Sequence, residues 1–149
     1  MRRMLRNAMI GLALLIPGAA VAAADIVVHR DPGCGCCAKW AALVRGHFGR
    51  RVTIVDDAQR QAFMKRAGVP ADLASCHTAV VDGLIFEGHV PLADMKRLLT
   101  QRPRGVRGLA VAGMPLGSSG MEAPGRKADA YQVVAFGPGG RGVYARHGG

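Results

Sequence analysis

Apolar and polar positions follow two periods along this chain, and the switches between them mark its elements. Residues 25–29 (Asp-Ile-Val-Val-His), with a continuous apolar run at 26–28, predict a short buried strand. Cys37, Trp40, Ala41, Val44 and Phe48 then recur at helical spacing, which predicts a helix from about Cys34 to Phe48 with Gly49 as its stop. Residues 51–55 (Arg-Val-Thr-Ile-Val) are β-branched and predict a second strand. Asp56 or Asp57 is placed to cap a helix over residues 58–67, which Gly68 ends. Residues 70–74 read as a short helical turn. Two further apolar runs, 78–81 and 84–87, flank Asp82-Gly83, the pairing that favours a tight hairpin. Pro91 fits the first turn of a helix reaching about Gln101, with Leu92, Met95, Leu98 and Leu99 as its buried stripe. Residues 104–130 are Gly- and Pro-rich without a period. Within them, residues 108–115 are too apolar for a disordered loop and are expected to pack. Residues 131–136 and 142–145 predict a last hairpin, and residues 146–149 a frayed tail.

The order is therefore β-α-β-α-β-β-α, an α/β chain whose first half is a parallel βαβ unit and whose second half adds a hairpin and a helix. A chain of 149 residues suffices for one domain with a real core. Its first 24 residues are expected to lie outside that domain. Met1 to Arg6 is a basic stretch, residues 8–16 are apolar, Pro17-Gly18 breaks the run, and residues 20–24 offer small-residue cleavage sites. This is the pattern of a secretory signal peptide (1–24), leaving a single domain at 25–149. The apolar run is too short and broken for a stable membrane anchor, and no cysteine follows the cleavage region to take a lipid. A periplasmic location is expected. Cleavage removes three basic residues and no acidic one, which brings the formal charge from +10 to +7. The remaining basic residues are scattered and carry no interleaved aromatics, so nucleic acid is not expected as a partner.

Export changes the meaning of the four cysteines. Three of them, Cys34, Cys36 and Cys37, fall within four residues, and the fourth, Cys76, precedes His77. The default in an oxidising compartment is two structural disulfides, but one crowded loop staples little of a fold. Crowding suits metal ligation or thiol redox chemistry better. Cys34 and Cys37 start a helix, where free N–H groups and the helix dipole favour thiolate over thiol. Cys36 points about 100° away from Cys37. Soft thiolates select copper(I), zinc or an iron–sulfur cluster. Structural zinc usually pairs two well-spaced Cys-x-x-Cys units, which this chain lacks. Copper(I) accepts two or three sulfurs and tolerates crowding, so it is the leading ligand and zinc the alternative. A thiol–disulfide oxidoreductase in which Cys34 attacks and Cys37 resolves is the second reading. A metal-free, disulfide-stapled interaction module is the third.

Other residues carry weaker signals. Met114 and Met121 lie in the Gly-rich stretch; thioether is a copper(I) ligand, and methionine is also a common core filler. Met64 and Met95 have core spacing. His89, at the end of the hairpin, is expected to cap or face solvent rather than to ligate. For His29, five residues before Cys34, packing is preferred over ligation; His47 suits a helix end, and His147 the tail. Trp40 is expected to pack beneath the cysteines and exclude water. Glu87 and Asp82 read as hairpin surface. No carboxylate pair for hydrolysis, phosphate-cradling loop or Ser-His-Asp set is present.

The element order, with a Cys-x-x-Cys at the first strand-to-helix junction, resembles the thioredoxin-like arrangement, here βαβ plus ββα with a Gly-rich C-terminal loop and a terminal hairpin. In that arrangement the loop before the first hairpin strand carries a cis-proline; here His77 stands in its place, beside a thiol. Four strings strengthen the likeness: Asp-Pro-Gly-Cys-Gly-Cys-Cys-Ala-Lys-Trp (31–40), Leu-Ala-Ser-Cys-His-Thr-Ala-Val-Val-Asp-Gly (73–83), Phe-Glu-Gly-His-Val-Pro (86–91) and the stretch from Gly108 to Glu122. In this order they resemble the CopG-like family of small exported bacterial proteins, over residues 26–136. That resemblance implies copper bound by Cys34, Cys36, Cys37 and Cys76, with His77, in copper resistance or trafficking, and copper efflux or chaperone proteins as partners. Met114, Met121 and His89 match motif positions of the family. A proline often stands there where this chain has Ser119, so the loop carrying Met121 departs from the pattern.

Overall fold

The computed structural model describes residues 24–149; the expected signal segment lies outside them. The elements are β1 (Ile26–Arg30), α1 (Gly35–Phe48), β2 (Val52–Asp56), α2 (Arg60–Arg66), a 3-10 turn (Ala71–Leu73), β3 (His77–Val81), β4 (Leu84–Glu87), α3 (Leu92–Gln101), β5 (Gly108–Ala110), β6 (Tyr131–Gly137) and β7 (Gly140–His147). One sheet holds all seven strands in the order β2-β1-β3-β4-β5-β6-β7. β1 runs parallel to β2 and antiparallel to β3, and β3 and β4 form the hairpin around Asp82-Gly83. The βαβ and ββα halves expected from the sequence thus meet along the β1–β3 ladder.

Period-two alternation sorts side chains onto two faces. On one face Ile26, Val28, Ala79, Val81, Phe86, Leu109 and Val133 pack against Trp40, Ala41 and Val44 of α1 and Met95 and Leu98 of α3. On the other, Ile85, Ala110 and Phe136 pack with Met64 of α2, Val69 and Leu73. Neither core would close without the C-terminal part of the chain, because β5 and β6 supply residues to both.

Helix boundaries shift slightly from expectation, each for a local reason. Cys34 is the N-cap of α1 rather than its first turn, its sulfur accepting the Cys37 N–H at 3.3 Å. Asp57 accepts the N–H of Gln59 instead of capping from the preceding position, so α2 begins at Arg60. Pro91 is the N-cap of α3, not its first residue.

The Gly-rich segment departs further. Its apolar run enters the sheet as β5, parallel to β4 in the register Ile85–Gly108, Phe86–Leu109, Glu87–Ala110. Gly108 permits this, since a Cβ there would sit 2.0 Å from the Ile85 carbonyl oxygen. Nor are residues 146 and 147 tail: they pair with Gln132 and Tyr131 at the end of β7. His147 Nε2 lies 2.6 Å from Asp94 Oδ2, and its ring stacks on Tyr131. Among the described residues no helix is long and apolar enough to cross a membrane.

Candidate metal centre

The C-terminal end of β1 runs into the turn Asp31-Pro32-Gly33, in which Gly33 takes a positive φ of 75° that a side chain would strain. The Cys34 N–H donates to the Asp31 carbonyl at 3.1 Å, and the Arg30 guanidinium donates to the Cys34 carbonyl at 2.9 Å. This chain reversal sets Cys34 at the N-cap of α1 and Cys36 and Cys37 on its first turn. Cys34 and Cys37 are joined in a disulfide. Cys36 is half-buried and free; Cys76, just before β3, is buried and free. The Asp31 N–H donates to the Cys76 carbonyl at 3.0 Å, locking the two loops together.

Each disulfide sulfur therefore has a free thiol beside it. Cys76 Sγ is 3.3 Å from Cys37 Sγ, and Cys36 Sγ is 3.4 Å from Cys34 Sγ. Cys36 and Cys76 are themselves 4.0 Å apart. All four sulfurs lie within 4.8 Å of one another. A second group, Cys76, His77 and His89, meets the same limit and shares Cys76 with the first.

The two imidazoles form the inner wall. His89 Nδ1 donates to the Ser119 carbonyl at 2.9 Å. A carbonyl only accepts, so the proton is on Nδ1 and the Nε2 lone pair faces Cys76 Sγ, 3.3 Å away. A backbone carbonyl holding one ring nitrogen in this way fixes the tautomer and the orientation with which a histidine can present the other nitrogen to a metal. His77 Nδ1 is 3.6 Å from the same sulfur, and its Nε2 is buried without a hydrogen-bond partner. Trp40 packs 4.5 Å from the His77 ring, with its indole N–H on the Val90 carbonyl.

Burial sets the electrostatics. It holds His77 down at about 3, with the neighbouring His89 and Arg60 acting in the same direction. Burial also lowers His89. Burial first, and Cys36 second, push the Cys76 thiol up to about 12. Without a cation, the inner half of the site is thus neutral thiol and neutral imidazole. Those are lone-pair donors that a soft cation could engage by displacing one thiol proton.

Behind Cys76 sits a buried charged network. Arg60 donates to Asp31 Oδ1 at 2.7 Å, to Glu87 Oε1 at 3.2 Å and to the Ser75 carbonyl at 2.7 Å. Glu87 also accepts the Ser75 N–H at 2.8 Å and the Thr78 hydroxyl at 2.5 Å. Glu87 is fully buried, which corrects the expectation of a hairpin-surface carboxylate. Burial raises its carboxyl against the opposing pull of Thr78, Ser75 and Arg60.

The loop from Gly113 to Glu122 forms the outer wall. Ser75 Oγ donates to the Gly113 carbonyl, and the Gly113 N–H donates to the Ala74 carbonyl at 3.0 Å. Gly120 lies so close to α1 that a Cβ would sit 3.0 Å from the Trp40 nitrogen. Met114 Sδ is 4.0 Å from Cys36 Sγ, while 54% of Met114 stays exposed. Met121 is held in the neighbouring turn by backbone bonds to Ser118 and Gly117.

The structure therefore gathers Cys34, Cys36, Cys37, Cys76 and His77 in one place, with Met114 at its rim. His89 is the residue that local reading undervalued. It is fully buried at the site instead of capping a helix or facing solvent. The available signal was its place in Phe-Glu-Gly-His-Val-Pro, immediately past the hairpin that begins at His77. His29 is turned away, stacked on Phe63 and bonded to Asp57 at 3.0 Å.

Comparison with known proteins agrees with this geometry. A family model described as "Protein of unknown function, DUF411" matches residues 73–121, which span Cys76, His77, His89, Met114 and Met121. Among curated proteins no sequence matches. Two solved structures do. One, named copper resistance protein copG, form 1, is 44% identical with a TM-score of 0.76, over 85% of this chain and 99% of that one. The other, form 2 of the same protein, is 44% identical with a TM-score of 0.74, over 83% and 97%. Identity of this order across nearly the whole of both chains, with the cysteine cluster in place, puts this chain in the CopG copper-resistance family.

Proposed function

We propose that this chain is an exported, periplasmic protein that binds copper(I) through Cys34, Cys36, Cys37 and Cys76, in copper resistance or trafficking. His77 and His89 serve as inner nitrogen donors and Met114 as a donor at the rim. The observation that carries the reading is the convergence of four sulfurs within 4.8 Å, continued inward by two imidazoles through the shared Cys76. Copper is cargo in this reading. Two- and three-coordinate sulfur sites suit copper(I), and so many donors in so small a space favour more than one ion per chain. Ligation by all four cysteines requires the Cys34–Cys37 disulfide to be reduced first. Zinc is the poorer fit, because structural zinc usually pairs two well-spaced Cys-x-x-Cys units and this chain has one dense triplet with a distant Cys76.

Anaerobic titration of reduced protein with copper(I) tests this. More than one copper per chain is expected, with most of that capacity lost in the triple variant Cys34→Ser, Cys36→Ser, Cys37→Ser. Loss of less than half would overturn the assignment.

The Cys34–Cys37 disulfide supports a second reading, thiol–disulfide exchange at the same residues. Two electrons and two protons from a dithiol donor would open it to two thiols, which doubles the number of thiol ligands. Insulin reduction or disulfide transfer that survives Cys36→Ser and Cys76→Ser but not Cys34→Ser is the expected signature.

A further inference from the structure

The most buried charges in the described residues, Arg60 at 3% exposed and Glu87 at 0%, lie beside the cysteines and play no part in the donor set. A buried ion pair is a poor device for stability, since a well-packed apolar pair of similar volume serves as well or better. What this pair touches is more specific. Arg60 reaches Asp31, three residues before Cys34, and the carbonyl of Ser75, next to Cys76. Glu87 takes the N–H of that same Ser75 and the hydroxyl of Thr78, two residues past Cys76. Both backbone groups of Ser75 are therefore held by the pair, and its other end reaches the loop of the cysteine triplet. α2 and β4 contribute one partner each, so the clamp adds a side-chain tie between the two cysteine loops to the β1–β3 ladder and the Asp31–Cys76 backbone bond.

From these contacts we propose that Arg60 and Glu87 are positioning residues that fix Cys76 against Cys37, setting the sulfur-to-sulfur distance on which ligation depends. The proposal rests on the reading of the cysteine cluster as the functional site. It concerns geometry already present in the metal-free chain. The planar fork of arginine suits the task, since three of its nitrogens are used at once on three acceptors.

The test uses metal-free protein carrying Cys34→Ser and Cys36→Ser, so that only Cys37 and Cys76 remain. Glutathione disulfide oxidises this pair to a Cys37–Cys76 disulfide and is itself reduced to two glutathione molecules. The equilibrium gives the effective molarity of the two thiols. Adding Arg60→Met with Glu87→Leu removes both charges together and leaves no lone buried ion. Asp31→Ala removes only the half-exposed anchor and protects the core in case the double change prevents folding. Effective molarity is expected to fall about tenfold or more in the first and about threefold or more in the second, because small displacements of reacting atoms are costly. Arg141→Met, which breaks the exposed pair with Asp72, should leave it unchanged. A smaller fall in either variant, once circular dichroism shows it folded, overturns the proposal, as does an equal fall in Arg141→Met. Copper is absent throughout, so failure of copper to bind at the cysteines would leave this result standing, and the reverse also holds.

Discussion

The sulfur of Cys76 and the Nε2 of His89, thirteen residues apart in the chain, lie 3.3 Å apart in the interior. The Ser119 carbonyl fixes the opposite nitrogen of His89 as the protonated one. His89→Gln should therefore weaken copper(I) binding about tenfold while the fold survives. Competition against a copper(I) chelator of known affinity reads the change. An unaltered affinity would reduce His89 to packing.

The chain has a single tryptophan, and Trp40 lies 4.5 Å from the His77 ring. Copper entering the inner half of the site should quench its fluorescence in step with occupancy. Quenching that persists in Cys76→Ser with His89→Gln would place the copper elsewhere.

With Cys34 and Cys37 joined, denatured protein should show two free thiols before reduction and four after it. In the native state Cys36, half-exposed, should alkylate much faster than Cys76, which is buried and held protonated at neutral pH. Mass spectrometry of the alkylated peptides distinguishes the two. Equal rates would contradict this difference in depth.

His77 is neutral in the folded state down to about 3, whereas in the unfolded chain it titrates near 6.5. Between those values the unfolded state binds the extra proton. The stability of the metal-free protein is therefore full above 6.5 and falls as pH drops from 6.5 toward 3, by up to about 1.4 kcal/mol per pH unit from this residue. His89, also lowered by burial, adds to the slope. Urea denaturation at a series of pH values checks this, and His77→Leu should flatten the curve in that window.

Gly120 has a φ of +85° and lies against the backbone of α1. Gly120→Ala should cost about 1–2 kcal/mol through the left-handed conformation and the contact with Trp40. It should also lift the loop that bears Met114 and Ser119. Reduced copper affinity together with a lowered melting temperature is the expected result; a lowered melting temperature alone would separate the loop from the site.

The parts of this fold that could be read from the sequence are those set by short-range pattern. Cys37, Trp40, Ala41 and Val44 announce α1 because helical spacing is local, and Asp82-Gly83 announces its hairpin because turn chemistry is local. Residues whose partners are distant could not be read this way. Glu87 ends a strand that could face either way, and its burial rests on partners that include Arg60, 27 residues earlier, and the Ser75 N–H, 12 residues earlier. His147 belongs to β7 because Asp94, 53 residues earlier, holds it. The pairing of Cys34 with Cys37 was one option among several for a crowded triplet. β5 was visible as an apolar run but not as a strand, since parallel pairing with β4 requires the whole of α3 as its crossover.

That parallel pairing also shields β4. Without β5, the β4 strand would be the open edge of the sheet, with unpaired backbone groups and apolar neighbours, the usual template for intermolecular association. The new edge is β7, where Arg141 and Arg146 are exposed and a register shift between Val133 and Val134 interrupts the ladder with β6. Both features discourage a further strand from adding. A chain cut after residue 103 should therefore aggregate as well as lose Met114 and the Ser119 carbonyl. Its failure in a copper-resistance assay would report on the uncovered edge as much as on the missing loop, and point substitutions in full-length chain are the means of separating the two.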